Sequence, residues 1–226
     1  MGKVKADTIR NLMESTGSTF SKGLGIDLRS SNPGEIFKWF LAAILFGARI
    51  SESLAARTFR VFNREGITSP ERILKKGWDG LVQLLDEGGY ARYDFKTATK
   101  LLEIAQAVEE QYGGNLNRLH GAASDNADLE NRIQSLAKGI GPVTTNIFLR
   151  EMRGIWEKAE PLPGDLCIAA SQNLGLIRKN LRSRRIILAE LKNLWKDHGL
   201  PEKDFADLEA ALVRWGIENR KKMRAP

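Results

Sequence analysis

The spacing of apolar residues along this chain predicts α-helices in nearly every segment. Apolar side chains recur every three or four residues, and no segment shows the sustained alternation of apolar and polar residues that is typical of strands. The pattern is clearest between residues 94 and 112, where one helix face would carry Phe95, Ala98, Leu101, Leu102, Ala105, Val108 and Tyr112. We therefore predict an all-α fold.

The most apolar stretch runs from Ile36 to Phe46. It predicts a buried central helix, because it is too short to span a bilayer. Ser51 is placed to cap the helix that follows, and a loop rich in proline and glycine is predicted over 153–164. Further helices are predicted at about residues 70–76, 78–86, 94–112, 125–136, 166–175, 177–198 and 203–220.

Two glycines separated by one residue form the most informative turn in the sequence. Gly139 and Gly141 lie between a helix that ends near Leu136 and a second helix that Pro142 opens at its favoured first position. Because these positions lack side chains, the backbone N–H groups at the start of the second helix could approach an anion such as a nucleic-acid phosphate. A plain turn between two core helices is the alternative interpretation.

An acidic residue follows this turn, after one helix and a loop. Asp165 stands after Pro163 and Gly164 and before an apolar run, a pattern that is typical of a helix N-cap. A carboxylate there could also stabilise the positive charge that develops on a sugar when a glycosidic bond breaks. The glycine turn upstream favours the second interpretation.

These motifs resemble a known family. Gly139-Ile-Gly-Pro-Val-Thr-Thr145 is similar to the hairpin of the helix-hairpin-helix DNA glycosylases, the superfamily of endonuclease III and the alkyl-purine glycosylases, in which an aspartate downstream of the hairpin is essential. Asp165 follows Val143 by 22 residues. The stretches 41–51 and 89–98 resemble two further segments of the family in the same order, so the resemblance covers about residues 36–175.

The resemblance implies two helical domains with a cleft between them. Residues 34–152 would form one domain, which ends in the helix-hairpin-helix motif, and residues 1–33 with 153–226 would form the other. Asp165 would be the catalytic residue and would face the cleft. The candidate DNA contacts are Lys138, Gly139, Gly141, Val143, Thr144 and Arg49, and the candidate walls of a base pocket are Tyr90 and Trp156.

Several of these residues have a second interpretation. Lys138 could be a solvated surface residue instead of a phosphate contact. Arg49 could be a wedge in the gap left by an extruded base, a phosphate contact or an exposed helix end. Tyr90 could be a lid on the core, as aromatic residues at turns often are.

The sequence departs from the family at two places that decide chemistry. Val143 stands where strand-cutting members carry a nucleophilic lysine and where alkyl-purine members often carry a tryptophan. Cys167 is the single cysteine, so the chain cannot build the four-thiolate iron–sulfur cluster of endonuclease III. We therefore expect no cofactor and no catalytic metal. The resemblance admits a monovalent cation, Na⁺ or K⁺, at the hairpin carbonyls of Leu136 and Gly139.

The charge balance favours an anionic partner. The 35 Lys and Arg residues outnumber the 28 Asp and Glu residues, and the net charge is +7. RNA, acidic proteins and membrane surfaces would also be attracted. A basic run over 178–185 is expected to flank a helix in solvent or to line a duplex. A disordered basic tail is expected at Arg220, Lys221, Lys222 and Arg224.

The expected setting is intracellular. A single cysteine fits a reducing compartment, and the first residues lack the apolar core of a signal peptide. We expect a cytoplasmic, nucleoid-associated monomer that binds double-stranded DNA containing a damaged base and does not bind membranes.

These features predict a monofunctional glycosylase of DNA base-excision repair. The enzyme would flip a damaged base, preferably an alkylated one, out of the duplex and hydrolyse its N-glycosidic bond with Asp165, which leaves an abasic site. One alternative is a non-enzymatic helix-hairpin-helix DNA-binding protein. Another is a bifunctional glycosylase and AP lyase that uses a lysine elsewhere, such as Lys138.

Overall fold

The computed structural model describes residues 2–16 and 18–220. These residues form helices and turns without a strand, so the predicted all-α fold is confirmed. In chain order the helices are α1 Gly2–Thr16, α2 Phe20–Gly23, α3 Pro33–Phe46, α4 Glu52–Arg64, α5 Pro70–Gly88, α6 Asp94–Tyr112, α7 Leu116–Ala122, α8 Asn126–Ser135, α9 Pro142–Met152, α10 Asp165–Asn173, α11 Arg184–Asp197 and α12 Phe205–Glu218. Short 3₁₀ turns lie at Leu28–Ser30 and Glu202–Asp204.

The chain divides into two compact units. One unit consists of residues 1–23 and 149–226, and the other of residues 24–148. The boundaries predicted from the sequence, after residues 33 and 152, and the predicted cleft stay predictions. Lys221, Lys222 and Arg224 of the expected basic tail lie outside the described residues.

Local signals explain where several helices begin. Asn32 and Ser51 each accept a hydrogen bond from a backbone N–H at the start of α3 and α4, and these bonds satisfy amides that have no partner within the helix. The helices predicted separately at 70–76 and 78–86 follow one another within α5 and are separated by a kink at Gly77, where φ is +70°. Because few other residues adopt this φ, glycine makes the kink possible.

One predicted helix start is wrong, and one helix was not predicted. The helix predicted over 177–198 begins only at Arg184, because the residues before it form turns, as the hydrogen bond from Leu181 N to Arg178 O shows. Helix α7 was absent from the predicted elements, and it begins after Asn115, whose side chain accepts a hydrogen bond from Asn117 N. Its seven residues are too few to display a clear apolar period.

The 24–148 unit is built around α3. This helix is apolar on nearly every side and is buried, as the stretch from Ile36 to Phe46 predicts. Trp39 Nε1 donates a hydrogen bond to Phe148 O at 3.1 Å, and the rings of Phe40 and Phe148 have centroids 4.9 Å apart. These contacts fix the helix that follows the glycine turn against the centre of the unit.

The other unit has its own core, formed by side chains of α1, α10, α11 and α12 and of two residues in the turns between α10 and α11: Ile9, Leu12, Cys167, Ala170, Leu176, Ile177, Ile187, Leu191, Trp195, Phe205, Leu208, Ala211 and Leu212. Buried charges are paired within it. Arg153 Nε lies 2.8 Å from Glu209 Oε2, and both side chains are almost fully buried. Since an unpaired charge would be costly in this place, the pair constrains how α12 packs.

Candidate functional site

The glycine turn connects α8 to α9 in the 24–148 unit. Ile140 N donates a hydrogen bond to Ala137 O at 3.2 Å and closes the turn. Gly139 has φ of +91°, in the left-handed region that favours glycine. A β-carbon at Gly141 would meet no atom within 4 Å. The protein therefore needs Gly139 for backbone conformation, whereas Gly141 leaves open space beside the start of α9.

The predicted contacts around this turn differ in exposure. Lys138 is exposed, and Val143 is 66% exposed. Thr144 is buried, and its hydroxyl packs so closely against Gly47 that a β-carbon at Gly47 would overlap it. The side chain of Thr144 therefore serves packing, and only its backbone remains as a candidate DNA contact.

The packing of Thr144 on Gly47 also brings the start of α9 next to the turn that carries Arg49. Arg49 stands two residues after Gly47 and is exposed. The cationic side chain of Arg49 thus lies on a turn that packs against α9. This position suits a phosphate contact or a wedge, the two functional interpretations of Arg49.

Sequence reasoning missed a lysine beside the turn. Lys100, on α6, lies so near Gly139 that a β-carbon at Gly139 would stand 3.4 Å from Lys100 Nζ. Burial lowers the pKa of Lys100, and the charge of Glu103 opposes that shift. The separation of 39 positions between Lys100 and Gly139 leaves no local sequence signal for this contact.

The same lysine bears on the monovalent cation that the resemblance admits. No backbone hydrogen bond to Leu136 O or Gly139 O is formed by the described residues, and carbonyl oxygens are suitable ligands for Na⁺ or K⁺. The ammonium group of Lys100, however, already brings a positive charge to Gly139. Because like charges repel, this ammonium group would oppose a cation bound close to it, and the cation site stays a prediction.

Tyr90 lies in the interior of the 24–148 unit. It is buried, and its ring meets the edge of Tyr93 at a centroid distance of 6.5 Å. Burial raises the pKa of its hydroxyl, while a hydrogen bond with Thr97 opposes the shift. With its ring enclosed, Tyr90 fits the interpretation as a lid on the core better than that of a base-stacking wall.

Asp165 is the first residue of α10 and does not cap it. Gly164 occupies the N-cap position, and the cap has no side-chain hydrogen bond. The Asp165 side chain is 90% exposed, and its Oδ1 lies 2.5 Å from Nη2 of Arg184. The N-cap interpretation therefore does not account for this carboxylate, which is open to solvent beside one arginine.

Two arginines fasten the loop that leads to Asp165. Arg153 Nη2 donates to Pro161 O at 2.7 Å, and Arg184 Nη1 donates to Pro163 O at 2.6 Å. Proline carbonyls cannot be satisfied within a regular helix here, so these guanidinium groups take that role. The basic run over 178–185 thus supplies Arg184 as a partner of the loop and of Asp165.

Trp156 lies in the same loop and is buried. It lines a cavity of about 350 Å³ whose wall also includes Arg153, Glu160 and Lys192. Glu160 pairs with both cations at 2.8 Å. The cavity next to Trp156 is therefore bordered by charges that satisfy one another, not by the stacked apolar walls that a base pocket would require.

Other chemistries find little support in the part of the chain that the structure describes. Within residues 2–16 and 18–220, no group of three or more His, Cys, Asp and Glu side chains is arranged to hold a metal ion. None of the described helices combines the length and apolarity needed to cross a membrane. Cys167 is buried, and burial raises the pKa of its thiol to about 12.

No model of a known protein family and no curated protein sequence matches this chain.

Proposed function

We propose that this protein is a monofunctional DNA glycosylase of the helix-hairpin-helix type. It binds DNA through the glycine turn, receives a flipped damaged base and hydrolyses the N-glycosidic bond with Asp165. The products are the free base and an abasic site. Intracellular, cytoplasmic repair of double-stranded DNA by a monomer is part of the same proposal.

DNA binding is supported by the chemistry of the turn. Open space at Gly141 lets a strand approach the N-terminus of α9, where free backbone N–H groups and the positive end of the helix dipole favour a phosphate. Lys138 is exposed next to this position, and Arg49 is exposed on the turn that packs against α9. Positive side chains of this kind bind the backbone of DNA irrespective of its sequence.

The proposal depends most on the exposure of the Asp165 carboxylate. Its carboxylate is 90% exposed at the first turn of α10, and it is not used as a cap. Helix N-termini favour a nearby negative charge, so the first turn of α10 is a suitable place for this carboxylate. Among the predicted site residues, Asp165 is therefore the accessible anion.

The reaction needs such an anion. As the bond between C1′ and the base nitrogen lengthens, positive charge grows on the sugar, and an adjacent carboxylate stabilises this transition state. The same carboxylate can orient the water whose oxygen bonds to C1′, and it can accept the proton that this water loses. One acid is sufficient when the departing base is already cationic, which favours alkylated bases.

The departure from strand-cutting enzymes follows from Val143. An aliphatic side chain cannot attack C1′ as an amine does, so no Schiff base forms at this position. Hydrolysis by water therefore leaves the strand intact. The lysines beside the turn are the exposed Lys138 and the partly buried Lys100, and these are the candidates for an amine nucleophile elsewhere than position 143.

Base release from defined DNA tests the proposal. Duplex oligonucleotides that each contain one alkylated, deaminated or oxidised base are incubated with the protein, and alkali then cleaves any abasic site. Asp165→Asn should abolish release, whereas Asp197→Asn, which removes an exposed carboxylate from α11, should not. Absence of release from every lesion would contradict the proposal.

A non-enzymatic DNA-binding protein is the second candidate. Two observations favour it: the hairpin presents the exposed aliphatic Val143 where related enzymes stack on the base, and the charge of Asp165 is compensated by Arg184. A non-enzymatic DNA-binding protein should bind DNA in a salt-dependent manner and should release no base. Borohydride trapping of a covalent protein–DNA adduct would instead identify a lyase.

A further inference from the structure

A pair of aromatic rings lies on the surface of the 24–148 unit. Trp78 is 40% exposed and Phe95 is 58% exposed, and their ring centroids are 5.2 Å apart. Trp78 Nε1 donates to Thr99 Oγ1 at 3.1 Å, and that hydroxyl donates to Phe95 O at 3.0 Å. Trp78 and Phe95, termed the aromatic pair below, are therefore held together by a hydrogen-bonded threonine while remaining open to solvent.

The aromatic pair and the glycine turn are contacted by consecutive residues of α6. Thr99 anchors the indole, and the next residue, Lys100, has its Nζ next to Gly139. The aromatic pair and the glycine turn therefore both contact the same turn of α6.

The charges near the aromatic pair suit a polyanion. Within four positions of Trp78 or Phe95 along the chain, the basic residues are Lys75, Lys76, Arg92 and Lys96. The acidic residues in the same positions are Asp79 and Asp94. The carboxylate of Asp94 is engaged, since its Oδ1 accepts a hydrogen bond from Phe95 N at 2.8 Å. Positive side chains outnumber negative ones around the rings.

We propose that the aromatic pair stacks on unpaired bases of DNA and that Lys100 binds the phosphate joining these bases to the strand on the glycine turn. Aromatic side chains beside basic ones are the common means of binding single strands, because every base presents a π-face. Adjacent exposed apolar side chains that are surrounded by polar residues often mark a binding surface. This site rests on the proposed binding of DNA at the hairpin and extends it to the unpaired flank of a substrate.

Three DNA probes distinguish stacking from charge. They share one duplex and differ in their end: blunt, with a single-stranded tail of thymidines, or with a tail of abasic residues of equal length and charge. Fluorescence anisotropy measures the dissociation constant of each probe. The thymidine tail should bind about tenfold more tightly than the abasic tail, which carries the same phosphates but no rings.

Substitutions assign this preference to the two rings. Phe95→Leu and Trp78→Leu should remove the preference for thymidines, while Phe95→Tyr should retain it because the ring remains. Ile217→Ser, which removes an exposed apolar side chain from the other unit, should leave all three affinities unchanged. Circular dichroism checks that helix content is preserved, as expected for exposed positions.

Lys100 has its own readout. Lys100→Gln should weaken binding of the two tailed probes, which contain the joining phosphate, more than binding of the blunt duplex. For the tailed probes it should reduce the dependence of log Kd on log salt by about one phosphate contact. Lys96→Gln, one helical turn earlier and exposed, is the matched control and should change the affinity less. An effect of Lys96→Gln equal to that of Lys100→Gln would overturn the role of Lys100.

The outcomes separate this site from the glycosylase reaction. Equal affinity for the thymidine and abasic tails, or a preference that survives Phe95→Leu, overturns the stacking site and leaves the rings to a partner of another class. Base release without tighter binding of the thymidine tail would overturn the stacking site and leave the glycosylase proposal standing. Tighter binding of the thymidine tail without base release would support the stacking site and contradict the glycosylase proposal.

Discussion

Arg184 Nη2 lies 2.5 Å from Asp165 Oδ1, and the same guanidinium donates through Nη1 to Pro163 O at 2.6 Å. One arginine therefore holds both the candidate catalytic carboxylate and the loop before it. The arrangement positions Asp165 but compensates its charge. Since 44% of the Arg184 side chain is exposed, a DNA phosphate could compete with Asp165 for it and free the carboxylate for the sugar.

Asp165→Asn should reduce single-turnover base release by at least about 100-fold, because the amide cannot stabilise a cationic sugar. The same substitution should leave DNA binding unchanged or slightly tighter, since it removes a negative charge and releases Arg184 for a phosphate. Single-turnover release and anisotropy measure the two effects separately. Loss of binding in parallel with loss of release would assign Asp165 to binding.

Arg184→Gln should weaken DNA binding and lower its salt dependence by about one contact, because the residue that would exchange Asp165 for phosphate is lost. At saturating DNA the rate of release should fall by less than for Asp165→Asn, since the carboxylate itself remains. Arg185→Gln is the control: the neighbouring arginine is exposed and forms no hydrogen bond or ion pair with the described residues of the loop over 153–164. Identical kinetics for the two variants would show that the contact to Asp165 is irrelevant.

The two glycines of the turn should respond differently to alanine. Gly139→Ala forces a side chain into φ of +91° next to Lys100 and should cost about 1–2 kcal/mol of unfolding free energy. Gly141→Ala meets no protein atom, so stability should hold while the methyl group obstructs an approaching strand. Thermal unfolding and anisotropy test both. Unchanged DNA affinity in Gly141→Ala would contradict binding at this turn.

Much of the fold could be predicted from the sequence because its signals are local. The apolar run from Ile36 to Phe46 and the cap at Ser51 both produce helices where the pattern indicates them. The residue at which a helix begins or ends depends on tertiary packing as well as on the local sequence. The turns before Arg184 follow from packing, which apolar spacing does not report. The break at Gly77 agrees with the two separate helices predicted on either side of it.

The candidate site was less predictable, because its important contacts join residues far apart in sequence. The glycine turn and Asp165 could be recognised from residue type and order. Lys100 reaches Gly139 only because α6 packs beside the turn, and Arg184 reaches Asp165 only because turns precede α11. Side-chain burial was equally hidden: the residue types of Thr144 and Tyr90 suggest contacts with DNA, but both side chains pack inside.

The contact between Gly47 and Thr144 should behave as a coupled pair. Gly47 has a helical φ of −71°, so Gly47→Ala introduces no backbone strain, but its methyl group would overlap Thr144 Oγ1. Overpacking of this kind should cost about 1–3 kcal/mol. Thr144→Ala removes the obstructing hydroxyl, so the double variant should be less destabilised than the sum of the single ones. Additive losses, measured by urea unfolding, would disprove the contact.

Cys167 should be unreactive in the folded protein. Burial raises the pKa of its thiol from an ordinary 9.0 to about 12, so at pH 8 the thiolate is about 1,000-fold scarcer than in the unfolded chain. A thiol reagent that releases a coloured product should therefore react with the protein in urea but hardly at all without it. Equal rates in both conditions would contradict the burial of this side chain.

The raised pKa of Cys167 also makes the free energy of unfolding depend on pH in a definite direction. A thiol whose pKa is raised by folding stabilises the folded state below the unfolded pKa, near 9, and this contribution is lost as the pH rises toward 12. Between pH 8 and pH 10 the loss amounts to about 1 kcal/mol. Cys167→Ala lacks this titration, so the stability difference between the wild type and the variant should shrink by about that amount over the interval. Urea unfolding at both pH values measures it, and a difference that stays constant would show that Cys167 ionises as readily in the folded state as in the unfolded state.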